Sequence, residues 1–388
     1  MLLIKNGLIY TMANSVIKNG SILIDGGKIV NVGENLAAPS NCEVIDAEGR
    51  MVTPGFVEAH CHLGMCESSI GFEGDDLNET TDPLTPHLRA IDGLNPMDAA
   101  LKEAYRGGVT TAVSGPGSAN VVGGTFVAIK TFGHRVDDMI VKNPAAMKVA
   151  FGENPKRVYN AQKKAPVTRM GVAALLREIL FETNVYMQKK ESALKEGKTP
   201  DFNMKLEAML PVIKKEIPIK VHAHRADDIF TAIRIANEFD IDITLDHCTD
   251  GHIIAHDLAK EGKGVIIGPS FGHSSKFELQ NMSWDTPKIL AEAGVKIAIT
   301  TDSPETPLQY LPLCAGLAHK AGLGEIEALK AITVNAAEII GISDRVGSIE
   351  PNKDADIVIF DGNPIKDLDC RAYITIINGK VAYNANSH

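Results

Sequence analysis

Two histidines placed two residues apart at the end of an apolar run can offer both rings to one ion, and Gly55-Phe-Val-Glu-Ala-His60-Cys-His62 is such a run. In a strand, residues i and i+2 lie on one face, so His60 and His62 point the same way. A pair of imidazoles suits zinc or a similar divalent metal. A lone His-x-His is a weak sign, because a half-exposed strand carries two histidines by chance. The weight comes from the rest of the chain. Lys220-Val-His222-Ala-His224, Leu245-Asp-His247 and Thr300-Thr-Asp302 each close an apolar run with metal-ligating residue types. Taken singly, His224 reads as a surface histidine and Asp302, before Ser303 and Pro304, as a cap or turn residue. Taken together, they describe a metal centre assembled from several strand ends.

The elements that must position these residues alternate along the middle of the chain. Strands are expected at 56–62, 109–114, 125–131, 146–152, 217–222, 241–247, 264–269 and 295–301, mostly bounded by Gly or Pro and followed by helical patterns. Eight parallel strands with helices between them close into an α/β (β/α)8 TIM barrel, whose active site lies at the C-terminal ends of its strands. In Asp227–Phe239 the residues Ile229, Ile233 and Ala236 share a helix face, and two aspartates occupy the first turn. A doubly wound sheet would need a phosphate fingerprint after its first strand. The glycines of Gly115-Pro-Gly-Ser-Ala-Asn-Val-Val-Gly-Gly124 come too late and are wrongly spaced for one.

Short alternating runs appear at both chain ends, with Asn-Gly and Asp-Gly pairs at turn positions. They predict a composite β-sandwich from residues 1–54 and 345–388 around a barrel at 55–344. Two insertions stand out. Residues 63–95, carrying Glu73, Asp75, Asp76, Glu79 and Asp82, read as an active-site cover; residues 154–169 read as a basic loop near the strand-four end.

The fourth strand, Ala145-Ala-Met-Lys148-Val-Ala-Phe-Gly-Glu153, offers two further ligands. Lys148 shares a face with the small residues Ala146 and Ala150, which leaves room for its side chain, whereas Glu153 lies beyond Gly152 on the opposite parity. A neutral lysine amine that takes up carbon dioxide becomes a carbamate able to bridge two metals. Pleat geometry favours Lys148, with Glu153 as the alternative.

At 388 residues the chain suits one barrel of roughly 250 residues plus a smaller domain. A formal charge of −10 argues against nucleic acid or an anionic membrane as the main partner. Six cysteines without a C-x-x-C pair fit reduced thiols, and the first residues lack the features of a signal peptide, so a cytoplasmic enzyme is expected. The partner is a small-molecule substrate, and a homo-oligomer is the default assembly.

These motifs, with Pro54-Gly-Phe-Val-Glu-Ala-His60-Cys-His62 and Val346-Gly-Ser-Ile-Glu-Pro-Asn-Lys-Asp-Ala-Asp-Ile-Val358, resemble those of the metal-dependent amidohydrolase superfamily over nearly the whole chain. The resemblance, on its imidazolonepropionase-like and prolidase-like side, implies the barrel with its composite sandwich and hydrolysis of an amide, cyclic amide or peptide bond. It also implies one or two divalent metals, with zinc expected. Met147-Lys148-Val149-Ala150 is similar to the strand that carries the carboxylated lysine in the dihydroorotase, hydantoinase and isoaspartyl-dipeptidase branches. Imidazolonepropionase and the deaminases place a glutamate three residues after the strand-five histidine. Here Arg225 stands at that position, which lowers the deaminase reading, kept as the alternative.

On this reading His60, His62 and Asp302 hold one metal, His222 and His247 a second, and carboxylated Lys148 bridges them with a hydroxide. Asp302 moves the proton to the leaving nitrogen. His224, Arg225 and Arg157 face substrate, the arginines through a carboxylate. Two other classes are weighed: a catalytically dead barrel, and a structural zinc site from His60, Cys61, His62 and Cys66.

Overall fold

The computed structural model describes residues 1–13, 15–67 and 70–387. Ser68 and Ser69, within the long segment after the first barrel strand, lie outside the described residues.

The chain opens with β1 (Leu2–Tyr10), β2 (Val16–Asp25), β3 (Lys28–Glu34), β4 (Glu43–Asp46) and β5 (Met51–Pro54). The barrel strands follow as β6 (Phe56–Cys61), β7 (Val109–Ser114), β8 (Val122–Lys130), β9 (Ile140–Ala150), β10 (Ile219–Ala223), β11 (Ile243–His247), β12 (Val265–Ile267) and β13 (Ile297–Ile299). The chain closes with β14 (Ile357–Phe360), β15 (Ala372–Ile377) and β16 (Lys380–Asn384).

Both chain ends join one sheet, in the order β16-β15-β14-β5-β1-β2-β3 with β4 paired to β1. Alternation drives it: Leu2, Ile4, Ile22, Ile24, Ile357, Ile359, Ile374 and Ile376 turn inward into a shared core. The β2–β3 and β15–β16 hairpins turn on Gly26-Gly27 and Asn378-Gly379, all four at positive φ, as tight two-residue hairpins require. Asn6-Gly7, read from sequence as a turn, instead lies inside β1, where the register shifts against β2. A positive φ at Asn6 serves a bulge as well as a hairpin.

The eight expected barrel strands form a second sheet in order β13-β12-β11-β10-β9-β8-β7-β6. They do not all run parallel. β8 is antiparallel to both β7 and β9, and the remaining neighbours pair in parallel. The connections flanking β8, residues 115–121 and 131–139, contain only a short 3-10 turn at Val136–Met139. A parallel crossover needs a dozen or more residues, so these links admit only hairpin-like returns. The seam between β13 and β6 is drawn together by side chains: Thr300 Oγ1 donates to the His60 carbonyl at 2.6 Å, and the Thr301 N–H and hydroxyl donate to Glu58 at 2.9 and 2.8 Å.

The helix expected near 227–239 spans Ala226–Phe239 and buries Ile229, Ile233 and Ala236. The basic loop expected at 154–169 is largely helical. Glu153–Ala161 is a helix, and Thr168 caps Arg169–Lys195 by accepting from the Gly171 N–H. Among the described residues no helix is long and apolar enough to cross a membrane.

A buried ion cluster ties the sheet of the chain ends to the barrel. Lys130, at the end of β8, reaches Asp354 at 2.9 Å and Asp356 at 2.6 Å, while Lys28 and Arg345 pair with Asp354 at 2.6 and 2.7 Å. Removing one partner of a buried pair leaves charge uncompensated, at a cost of about 3–5 kcal/mol. Lys130→Met should therefore lower the denaturant midpoint markedly; an unchanged midpoint would show that the cluster contributes little.

Candidate metal centre

The strand-end residues converge. His60, His62 and Asp302 place one ligand atom each within 4.8 Å of one another, and His222, His224 and His247 do the same. The groups adjoin, since the His60 and His247 rings are 5.2 Å apart. Asp302 Oδ1 lies 3.2 Å from His60 Nε2 and 3.3 Å from His62 Nε2. Lys148 Nζ, fully buried, is 3.5 Å from His60 Nε2. It pairs in register with Gly124 on one side and Lys220 on the other. A Cβ on Gly123 would sit 3.3 Å from Lys148 Cγ, so this glycine at the start of β8 keeps space for the lysine.

The remaining ring nitrogens are fixed by backbone and hydroxyl groups. Nδ1 of His62 and of His247 bond the Gly115 and Gly268 carbonyls at 2.7 and 2.6 Å, and His224 Nδ1 bonds Thr249 Oγ1 at 2.7 Å. This directs Nε2 of each ring inward. His60 is held differently, its Nδ1 lying 3.0 Å from Asp246 Oδ2, whose other oxygen meets Lys220 Nζ at 2.7 Å. An outer carboxylate on a ligating histidine orients the ring and raises its basicity.

Burial, reinforced by neighbouring cationic and imidazole groups, holds His222 and His247 well below the ordinary histidine value. Burial lowers His224 to about 4. At Asp302 burial pushes the other way, but the neighbouring imidazoles of His247, His60 and His62 outweigh it and keep the carboxyl well below its usual range. Neutral imidazoles and an ionised carboxylate are the protonation states that metal binding requires. His224 Nε2, His247 Nε2 and Asp302 Oδ1 are buried without hydrogen-bond partners, a costly condition that a bound cation would relieve. The residues present fit a divalent metal.

Two of these candidate donors sit on unusual backbone. His247 and Asp302 have φ of 74° and 51°, the left-handed region that ordinary residues avoid. Strand parity points Asp246 and His247 to opposite sides, and the turn at His247 lets both serve the site.

The other expected site residues fall at varying distance. His224, expected at the substrate or just outside the metal ligands, converges with His222 and His247. Arg225 forks onto Asp227 at 3.0 and 2.9 Å. Arg157 bonds Asn154 Oδ1 at 3.4 Å, and Asn154 Nδ2 lies 3.5 Å from His222 Nε2. Glu153 opens its helix and is in neither ligand group. Cys61 Sγ points to the Val113 carbonyl, and no cysteine joins a ligand group among the described residues, which removes the structural zinc reading. Within the expected cover, residues 79–82 are tied down by Asn120, whose amide donates to the Glu79 and Asp82 carbonyls, and by Gln162 on Thr80. Sequence reasoning missed Asp246, Lys220 and Glu58. Lys220 has the parity of His222 and His224 in a buried strand, which was the available sign.

These features define a metal-dependent hydrolase barrel, and the comparisons agree. The amidohydrolase family profile matches residues 51–382, and the chain belongs to that family of hydrolases acting on carbon–nitrogen bonds. A solved amidohydrolase from Thermotoga maritima is 42% identical, with a TM-score of 0.96 over 99% of this chain and 100% of that one. Imidazolonepropionase from Geobacillus sp. is 28% identical, covering 89% of this chain and 84% of that protein. Amidohydrolase tasK from Hapsidospora irregularis is 28% identical over 89% of this chain, which spans 38% of the length of tasK.

If Asp246 orients His60, Asp246→Asn should weaken divalent-metal affinity by roughly 10–100-fold, the range for outer partners of ligands. Chelator competition measures this, and an unchanged affinity would make the Asp246–His60 contact incidental.

Proposed function

We propose that this chain is a binuclear metal-dependent hydrolase that cleaves an amide, cyclic amide or peptide bond in a small carboxylate-bearing substrate. The supporting observation is the pair of adjoining buried donor groups, with Lys148 Nζ beside His60. When bound, divalent metals, zinc in the first instance, supply an activated water and polarise the scissile carbonyl.

His60, His62 and Asp302 hold one position; His222 and His247, with His224 alongside, hold the other. Lys148 joins them as a carbamate. Burial lowers its amine to about 8, so a share of it is neutral near neutral pH and open to carbon dioxide, and the carbamate replaces a buried cation with an anionic oxygen donor. Asp302, whose Oδ1 faces His60 and His62 as the metal donor, has a second carboxylate oxygen that would take the proton from the attacking water and return it to the leaving nitrogen. Arg157, bonded to the Asn154 whose amide nitrogen approaches His222, is the arginine left for a substrate carboxylate, because the Arg225 fork is already taken by Asp227. Division into a unit of residues 1–54 and 345–388 and a barrel unit of 55–344 belongs to the same proposal. It draws support from β5, which ends in the first sheet one residue before β6 begins the second.

The second reading is an imidazolonepropionase-type or deaminating enzyme with a single metal, favoured by the imidazolonepropionase relatives. Arg225 in place of a glutamate weighs against it.

Turnover of dipeptides, N-acyl amino acids and cyclic amides by metal-loaded protein tests the class, and activity confined to imidazolone or aminated rings would transfer the assignment to the second reading. Asp302→Asn should hold metal at high concentration yet be slower by on the order of 10²–10⁴ in kcat. Activity that recovered in step with metal occupancy would limit Asp302 to coordination. Lys148→Ala should lose metal and activity together, with partial recovery in short carboxylic acids; full metal occupancy in that variant would contradict the bridging role.

A further inference from the structure

One buried carboxylate beside the second histidine group has no part in the foregoing scheme. Glu278 lies in a short 3-10 turn, Phe277–Leu279, within the connection that joins β12 to the helix Thr286–Glu292. Its neighbour Phe277 is exposed, yet Glu278 itself is 1% exposed. Glu278 Oε2 accepts the Glu153 N–H at 2.9 Å, at the start of the helix Glu153–Ala161. That bond explains one oxygen. The other, Oε1, faces His224 Nε2 at 3.8 Å and His222 Nε2 at 3.9 Å, and its remaining polar neighbour is Lys276 Nζ at 3.4 Å.

A helix cap needs one carboxylate oxygen and gives no reason to aim the second at two imidazoles. His224 Nε2 is itself buried without a hydrogen-bond partner. Donors sharing a tetrahedral zinc lie roughly 3.4 Å apart, given bonds of about 2.0–2.1 Å. The observed separations therefore exceed ligand spacing by only about half an ångström. The backbone makes room for this carboxylate as well. Gly152 has φ of 83°, and a Cβ there would stand 2.5 Å from Glu278 Oε2. Any side chain at Gly152 would expel Glu278 from its place.

We propose that Glu278 is a ligand of the second metal position, an oxygen donor carried in by the β12–helix connection to complement His222, His224 and His247. The inference rests on the binuclear reading above and adds to it a donor from outside the strand ends. It also gives the second position a donor that the first does not share, so the two metals differ in their dependence on this connection.

The test is equilibrium zinc binding by chelator competition, with the apo protein and no turnover assay. Glu278→Gln keeps the shape and the acceptor for the Glu153 N–H while removing the anionic donor. In this variant one of the two zinc equivalents should lose at least the roughly 10–100-fold in affinity that removal of an outer partner costs. The other equivalent and the apo melting temperature should match wild type. Two equivalents bound by the variant with wild-type affinities would overturn the ligand role and leave the binuclear reading intact. A parallel loss at both positions together with a lowered apo melting temperature would also overturn it, reducing Glu278 to a helix cap. A wild-type protein that binds a single equivalent would sink both readings at once.

Discussion

A charge removed from water must be met by another, and in this barrel His60 is where those meetings converge. Lys220 pairs with Asp246, Asp246 with His60 Nδ1, and His60 Nε2 with Asp302, at 2.7, 3.0 and 3.2 Å. These residues come from β10, β11, β6 and the end of β13, and the Asp246–His60 link crosses the interior between two strands that are not neighbours. Buried ion pairs add little net stability but are costly to break, and each link therefore enforces the placement of the next. The ordering suits function: Asp246 turns the His60 ring so that Nε2 faces Asp302 and Lys148.

The scaffold gives way where the site needs space. Reversal of β8 brings Gly123 alongside Lys148, and the absence of a side chain there leaves the lysine its corridor. His247 and Asp302 adopt left-handed backbone at the strand ends, a local cost of order 1–3 kcal/mol each that surrounding packing sustains. At the opposite end of β8, Lys130 locks the barrel to the terminal sheet through Asp354 and Asp356. The same antiparallel strand thus serves the site at one end and the join between sheets at the other.

Much of this was legible in the sequence, for identifiable reasons. His60, His62, His222, His247 and Asp302 end apolar runs, and in a barrel strand ends converge, so residue type and position sufficed. Lys148 was legible through parity and its alanine neighbours. The reversal of β8 was not, because periodicity marks a strand without its direction. The short links at 115–121 and 131–139 were the missed cue. Convergence of His224 with His222 and His247 depends on the left-handed turn at His247, which no residue-type pattern announces. Arg225 looked available because its partner, Asp227, lies two residues along and was read as a helix-start charge. Asp246 was hidden beside His247, since alternation sends adjacent strand residues to opposite faces.

If the two adjoining donor groups hold two metals with Lys148 between them, anomalous diffraction from crystals of zinc-loaded protein should show both ions. Two peaks per chain are expected, one bounded by His60, His62 and Asp302 and the other by His222 and His247, with density on Lys148 Nζ for an added carboxylate reaching both. A single peak, or two peaks with an unmodified Lys148 directed away from them, would contradict this arrangement.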